Sequence, residues 1–257
     1  TTVQGTAPGA GLNDITIKTS GSLNLAAPVH ASNTGTVRLQ AADAITQDAA
    51  GLITPAGLIT AAALAAEAGA SVTLTQNNTI VGVVDGASKG VVAGRASNGA
   101  FRLVNTAVTE VGLVTAVPNL FSESVGVTAV RGTSTSNDIT LSVTGTGSNL
   151  HLARAVDAGN TGTVRLRSTG QITQADVGII TAAALGARAG TNVLLTLDNV
   201  IVDGAGADSK GVIAGEASEG SFKLVNIKET RVATVNDDIL DADLFAAALG
   251  ILANKAS

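Results

Sequence analysis

Apolar and polar residues alternate in many short runs along this chain of 257 residues. Typical runs are Ile15-Thr16-Ile17, Leu23-Asn24-Leu25 and Val37-Arg38-Leu39. A period of two places apolar side chains on one face of a strand and polar side chains on the other. Gly, Asn, Asp or Ser separates most of the runs, as expected of turns. The pattern predicts many short half-buried strands, which fits the coils of a parallel β-helix better than a sandwich of long antiparallel strands.

The chain contains two copies of one repeat. Five segments of the first copy return in the same order in the second copy, which identifies a duplication. The matched segments are 13–16 with 137–140, 33–39 with 160–166, 59–64 with 180–185, 88–91 with 209–212, and 101–105 with 222–226. Each copy is long enough for several coils of roughly 20 to 30 residues. We call residues 11–117 the first repeat and residues 135–235 the second repeat, and expect both to lie in one continuous all-β solenoid over residues 1–235.

Two parts of this pattern are open to a helical interpretation. Residues 59–69 and 180–190 are rich in Ala, a strong helix former. We favour strands and turns there, because both segments run directly into strand-like residues. The tail at 236–257 differs, because an Asp-rich start precedes apolar residues at helical spacing, and we predict a short helical cap. The alternative is a damaged start of a third repeat at 236–239. The apolar residues of the tail are Leu240, Leu244, Ala247, Ala248 and Ile251.

The composition indicates a narrow hydrophobic core and excludes some classes of partner. Aromatic residues make up 2% of the chain, so Val, Ile, Leu and Ala must fill the interior together with tight Gly turns. Only 14% of the residues are charged and the net charge is -5, which argues against nucleic acid as a partner. No apolar run reaches the roughly 18 residues of a membrane-spanning helix, and we expect no membrane insertion.

The chain has no Cys and no Met, even at position 1. The absence of Cys removes disulfides and thiolate sites, and is natural in a bacterial protein exported unfolded, where early disulfides would obstruct passage. A start at Thr1 indicates a processed or excised chain whose signal peptide has been removed. These features favour a secreted or cell-surface location.

Several motifs together resemble the repeat region of filamentous-haemagglutinin-like large exoproteins of Gram-negative bacteria, which leave the cell by two-partner secretion. These motifs are Asn-Asp-Ile-Thr-Ile at 13–17, Gly-Thr-Val-Arg-Leu at 35–39, Ala-Ile-Thr-Gln at 44–47, Ile-Thr-Ala-Ala-Ala-Leu at 59–64, Ser-Val-Thr-Leu at 71–74, Asn-Asn-Thr-Ile at 77–80 and Gly-Ala-Phe-Arg-Leu-Val-Asn at 99–105. The resemblance covers nearly the whole chain except about the last 20 residues. It implies a right-handed parallel β-helix with a role in adhesion, biofilm formation or a toxin-delivery stalk. Because the motifs do not include those of the N-terminal secretion domain and the chain is shorter than full-length members, we expect a fragment of such a protein or an unusually short relative that polymerises.

No group of residues meets the requirements of a catalytic, cofactor or metal site. His30 and His151 occupy roughly equivalent places in the two repeats, but neither has a set of further ligands nearby in sequence. The Asp residues of the tail lack the Gly and the distal Glu of a calcium-binding loop, so a solvated helix start is the preferred interpretation. Those residues are Asp237, Asp238, Asp241 and Asp243. We expect Phe101 and Phe222 to stack in the core.

Arg38 and Arg165 alternate with apolar residues, so we expect both to face solvent from equivalent coils. The sequence favours a non-catalytic structural or adhesive protein of an extracellular rod, stalk or filament, without a cofactor. Its expected partners are further copies joined end to end or the continuation of a larger chain, together with a host-cell or glycan receptor. The alternative function is a carbohydrate-binding or polysaccharide-cleaving β-helix.

Overall fold

A computed structural model shows an all-β chain of stacked, mostly parallel strands, and this confirms the predicted parallel β-helix. The structure describes residues 2–5, 13–48, 57–84, 87–134, 136–175, 177–204, 209–238 and 244–254. Within these ranges every regular element is a strand. The described residues contain no helix of the length and hydrophobicity needed to cross a bilayer. The strand interpretation of residues 59–69 and 180–190 is confirmed, because strands occupy 59–61, 63–68, 180–182 and 184–189.

The described residues between 2 and 129 form sixteen strands. They are β1 Thr2–Gly5, β2 Ile15–Thr19, β3 Leu23–Leu25, β4 Val29–His30, β5 Thr36–Ala41, β6 Ile45–Gln47, β7 Ile59–Ala61, β8 Ala63–Ala68, β9 Val72–Ile80, β10 Gly82–Val84, β11 Ala87–Ala96, β12 Phe101–Asn105, β13 Thr109–Val111, β14 Leu113–Val114, β15 Ser124–Val125 and β16 Val127–Ala129. Each coil places one strand, which we call its long strand, on one side of the molecule. The other side carries two short strands, except at β9 and β24, where the two are joined in one continuous strand of nine residues. The long strands β2, β5, β8 and β11 stack in parallel, and β3, β6, β9 and β12 stack beside them.

The second repeat and the tail supply the remaining strands. They are β17 Ile139–Val143, β18 Leu150–Leu152, β19 Val156–Asp157, β20 Thr163–Ser168, β21 Ile172–Gln174, β22 Ile180–Ala182, β23 Ala184–Ala189, β24 Val193–Ile201, β25 Gly211–Ala217, β26 Phe222–Asn226, β27 Thr230–Val232, β28 Thr234–Val235, β29 Ala248–Leu249 and β30 Ile251–Ala253. Its long strands are β17, β20, β23 and β25.

The two repeats do not stack in phase. The long strand β17 pairs in parallel with the short strand β12 of the first repeat, from Phe101↔Ile139 to Asn105↔Val143. On the other side, the short strands β18 and β19 pair with β13 and β16, which themselves pair with the long strand β11. The second repeat is therefore turned about the solenoid axis, so that its long strands continue the sheet begun by the short strands of the first repeat.

One hydrophobic core runs through both repeats, from Leu25 to Ala217. It crosses the junction without a break, because Leu103 on β12 stacks on Leu141 of β17, which stacks on Leu166 of β20. Phe101 belongs to this core, and Phe222 packs against it from the last coil, as expected. Stacking of like aliphatic side chains fills a narrow interior without large aromatic rings.

Buried Asn residues close the corners where the two short strands of a coil meet. The side-chain oxygen of Asn199 accepts the N–H of Ile180 at 2.9 Å, and its amide nitrogen donates to the carbonyl of Val225 at 2.9 Å. Asn78 makes the corresponding bonds with Ile59 and Val104 in the first repeat. These amides bind backbone groups of three successive coils, and they satisfy polar groups that are buried away from solvent.

Replacing Asn199 with Ala leaves several buried backbone groups without partners, so we expect a loss of about 2–4 kcal/mol in the free energy of unfolding. Chemical denaturation followed by circular dichroism measures this change. Asn24→Ala is the matched control, because Asn24 is exposed on the outside of β3, and it is expected to stay within about 0.5 kcal/mol of the parent. Equal losses at the two sites would contradict a corner role for Asn199.

Candidate functional site: the flaps and the repeat junction

One segment on the outer surface covers the long strands of each repeat. We call residues 112–126 flap 1 and residues 233–250 flap 2. Each flap begins and ends with a short antiparallel pair, β14 with β15 in flap 1 and β28 with β29 in flap 2. Each interrupts the same coil position, because β13 and β16 both pair with β11, and β27 and β30 both pair with β25. The flaps are therefore equivalent parts of the duplicated unit.

A Phe anchors each flap on small residues of the long strands. Phe121 packs with Ala65 and Ala93 in a small cluster outside the main core. Phe245 packs with Ala214, and a Cβ on Gly186 would lie 2.6 Å from its ring. Small side chains on the outer face of the sheet thus leave room for the ring of each flap.

The predicted helical cap of the tail is wrong. Ala248–Leu249 and Ile251–Ala253 are strands, and Leu244 is buried in the flap rather than on a helix. Packing against the sheet outweighs the helical propensity of the Ala-rich segment. Asp241 and Asp243, with Leu240, lie outside the described residues. The repeat therefore extends through the flaps, and the last strand Ile251–Ala253 corresponds to Val127–Ala129.

The expectation that Arg38 and Arg165 face solvent is also wrong. Both point outward from their strands, but the flaps cover them and leave 4% and 5% of the residue exposed. Arg38 Nε donates to the carbonyl of Thr115 at 2.9 Å, and Arg165 Nε donates to that of Asn236 at 2.9 Å. These two bonds tie each flap to the sheet beneath it.

The repeated Asn-Asp motif supplies the counter-charge of each Arg. The Asp14 carboxylate accepts the backbone N–H of Thr36 at 2.8 Å and pairs with Arg38 at 3.0 Å. Asp138 does the same for Thr163 at 2.9 Å and for Arg165 at 2.7 Å. The motif therefore fixes the start of the next coil and neutralises the guanidinium under the flap.

Flap 2 makes one further contact that crosses the junction between the repeats. Asp238 is 1% exposed and accepts two bonds from Nε of Arg102, at 2.8 and 3.0 Å. Arg102 lies on β12 of the first repeat, directly below Thr140 of β17, whose hydroxyl also donates to Asp238. A carboxylate of flap 2 thus pairs with an arginine of the first repeat, and this buried ion pair links the two repeats.

The same place in flap 1 has no carboxylate. Val117 is the counterpart of Asp238, because its N–H donates to the carbonyl of Phe121 just as that of Asp238 donates to Phe245. Thr16, the counterpart of Thr140, is buried and its hydroxyl has no hydrogen-bond partner. The polar junction is therefore specific to the second repeat.

A row of polar side chains runs beside each flap on the outer face of the long strands. In the first repeat the row contains Glu67, stacked between Gln40 and Arg95. Burial raises the pKa of Glu67, and hydrogen bonds from Ser124 of flap 1 and from Gln40, with attraction to Arg95 and Lys18, oppose the shift without cancelling it. Glu67 is therefore the group in this row that is most easily protonated on acidification.

The second repeat reverses the charges of this row. Arg188 takes the place of Glu67 and pairs at 2.7 Å with Glu216, which takes the place of Arg95. A groove of about 350 Å³ opens beside the pair and is also lined by Arg167, Thr169 and Ser218. Its guanidinium and hydroxyl groups suit an anionic or polyhydroxylated ligand.

The two His residues are not equivalent, contrary to expectation. His30 lies opposite Thr60 on β7, and the residue opposite the corresponding Thr181 is Asp157. His151 lies on β18 between Glu110 and Thr173, and its Nδ1 is 2.8 Å from the Thr173 hydroxyl. Within the described ranges, no group of three or more His, Asp or Glu side chains has metal-binding geometry.

Sequence reasoning missed Arg102, and it placed Asp238 in a solvated helix start, whereas the structure buries Asp238 at the junction. A signal for the flap was present, since Val125-Gly126-Val127 and Leu249-Gly250-Ile251 share an apolar-Gly-apolar pattern behind a Phe. Both glycines have a positive φ, of 67° and 93°.

No family model, curated protein or solved structure matches this chain.

Removing one side chain of the Arg102–Asp238 pair leaves the other charge buried and unpaired. We expect Arg102→Met and Asp238→Leu each to lower the free energy of unfolding by about 3–5 kcal/mol. The double variant is expected to lose much less than the sum, because no charge is left unpaired. Denaturant unfolding of the four proteins gives the coupling.

Lys210→Ala is the control for this cycle, because the Lys210–Glu229 pair is exposed at 3.6 Å. Its expected cost is below about 1 kcal/mol. Additive losses at Arg102 and Asp238 would mean that the two side chains stabilise the fold independently and do not form a junction pair.

The raised pKa of Glu67 predicts a pH-dependent effect of its charge. The folded state holds this proton more tightly than the unfolded state, so ionisation of Glu67 lowers stability as the pH rises through and above 4.5. Glu67→Gln should therefore be stabilising relative to the parent at pH 7, and this advantage should shrink toward pH 3. Urea unfolding between pH 3 and 8 tests the trend, with the exposed Glu123→Gln in the neighbouring flap 1 as control. If the advantage of the Glu67→Gln variant does not change with pH, the raised pKa is contradicted.

Proposed function

We propose that this chain is a non-catalytic scaffold: a structural or adhesive β-solenoid that forms part of an extracellular rod, stalk or filament on a Gram-negative bacterium. The observation that carries the proposal is the uninterrupted stack of parallel strands and the single core that passes through both repeats. A continuous hydrogen-bond ladder along one axis resists bending, and repetition lengthens the rod without a new fold.

The duplicated residues support a scaffold rather than an active site. What recurs in both repeats is corner Asn, flap-anchoring Phe and the Asp–Arg pair beneath each flap, and all of these groups hold coils together. The resemblance to two-partner exoproteins and the absence of Cys support export to the cell surface or the medium. Adhesion belongs to the proposal because the flaps are surface segments held on a regular scaffold, and binding residues are often carried on such segments.

Immunogold electron microscopy of intact cells that produce the native precursor tests the location. We expect antibodies raised against this chain to label the outside of unpermeabilised cells or material released from them, on elongated structures. A cytoplasmic marker protein serves as the control and must stay unlabelled. Labelling that appears only after permeabilisation would overturn the extracellular proposal.

Carbohydrate binding is a second candidate, favoured by the groove beside the Arg188–Glu216 pair. The groove presents two guanidinium groups and the hydroxyls of Thr169 and Ser218. An array of uncharged, uronic and sulfated glycans, read with the parent and with Arg167→Ala, tests binding, and incubation with the same polysaccharides tests cleavage. Binding of acidic glycans that is lost in Arg167→Ala would support this role, and silence of the parent on every glycan would remove it.

A further inference from the structure

The last coil of the solenoid exposes side chains that are buried in its counterpart. Val232 and Ile251 are 62% and 43% exposed, whereas their counterparts Val111 and Val127 are fully buried. The remaining exposed apolar residues of this end are Val225, Ile227 and Leu252. The difference has a direct cause, because β17, β18 and β19 cover the first-repeat coil and the described chain places no coil on β26, β27 and β30.

The junction between the two repeats shows how a following repeat binds to a coil of this kind. The N–H groups of Phe101, Thr109 and Val127 donate to carbonyls of the second repeat at 2.9 Å. The corresponding edge of the last coil begins at Phe222, Thr230 and Ile251, with the same parallel pairing to the coil below. The exposed end therefore has the geometry of a surface that binds another solenoid repeat.

One charged residue of the last coil, Lys223, restricts which repeat can bind there. Lys223 lies where Arg102 lies in the first repeat, because Arg102 pairs with Thr73 on β9 and Lys223 pairs with the corresponding Leu194 on β24. Lys223 is exposed at present. A repeat docked on β26 would cover Lys223 with its flap, and a covered ammonium needs a carboxylate, as Arg102 needs Asp238.

We propose that the C-terminal end of the solenoid is a docking surface for another β-solenoid repeat whose flap carries a carboxylate at the position of Asp238, and that Lys223 selects it. This inference rests on the proposed scaffold function and names the partner that such a rod requires at this end. Asp or Glu in the incoming flap pairs with Lys223, while the strands of its first coil extend the ladder from β26, β27 and β30.

The first repeat of the same chain does not meet this requirement. Its flap carries Val117 in place of the carboxylate, and Thr16 beneath it has an unpaired hydroxyl. In addition, β1 already pairs antiparallel with β2, the strand that would have to dock. A second copy of this chain is therefore a poor partner for the end that carries Lys223.

A mixing experiment with full-length receptor and modified ligand tests the selection. The receptor is the unaltered chain. The ligand lacks residues 1–10, which frees the edge of β2, and carries Val117→Asp together with Lys223→Glu, which disables its own C-terminal end. The matched control ligand keeps Val117. Sedimentation velocity and isothermal calorimetry should show a 1:1 complex with the Asp ligand, and binding at least about tenfold weaker with the Val ligand.

A second receptor–ligand pair provides a test that does not depend on the Val117→Asp ligand, in case the buried Asp unfolds that ligand. Lys223→Met in the receptor replaces the ammonium with an apolar side chain that suits Val117, so this receptor should bind the Val ligand at least about tenfold more tightly than the unaltered receptor does. Circular dichroism of each protein confirms folding before mixing.

Two results would overturn the proposal. Equal binding of the Asp and Val ligands would show that Lys223 selects nothing and that a second copy is an acceptable partner. No binding in any pair, including the Met receptor with the Val ligand, would show that this end does not receive repeats. Both results are independent of where the cell places the protein, so they are distinguishable from a failure of the surface-labelling experiment.

Discussion

Axial pairing between successive coils is the constraint on which the rest of the molecule depends. Each coil buries little by itself and gains its hydrogen bonds and its apolar contacts from the coils above and below. The inward side chains must therefore stack in line, as Leu103, Leu141 and Leu166 do across the junction. Corners must also be closed by side chains that bond to neighbouring coils, which is why an amide such as Asn199 is buried there.

The flaps add a second layer to a fold that otherwise has one. Flap 1 covers the outer face of β5, β8 and β11, and flap 2 covers that of β20, β23 and β25. Because the second repeat is turned relative to the first, its long strands continue the sheet that contains β12. Flap 2 therefore reaches Arg102 of the preceding repeat, and a local insertion becomes a connection between repeats.

Duplication has kept the geometry and changed the charges. Glu67 and Arg95 correspond to Arg188 and Glu216, so an attractive pair occupies the same place with its signs exchanged. Val117 and Asp238 occupy equivalent positions in the two flaps, but Val117 is apolar whereas Asp238 forms an ion pair. Such changes at fixed positions alter which side chains fit against a neighbouring coil without altering the fold.

The sequence by itself determined the repeat, the short strands, the narrow aliphatic core and the fold class, because period-two alternation and Gly or Asn turns are local signals. It did not determine the fate of Arg38, which alternation placed on the outer face but which the flap then buried. It also misassigned the tail, because Phe245 and Ala248 pack against a sheet that is distant in sequence, and this packing outweighs the helical propensity of the segment. The pairing of Arg102 with Asp238 joins residues separated by 136 positions. Only the turn of one repeat on the other brings them together, and no pattern within either repeat encodes that turn.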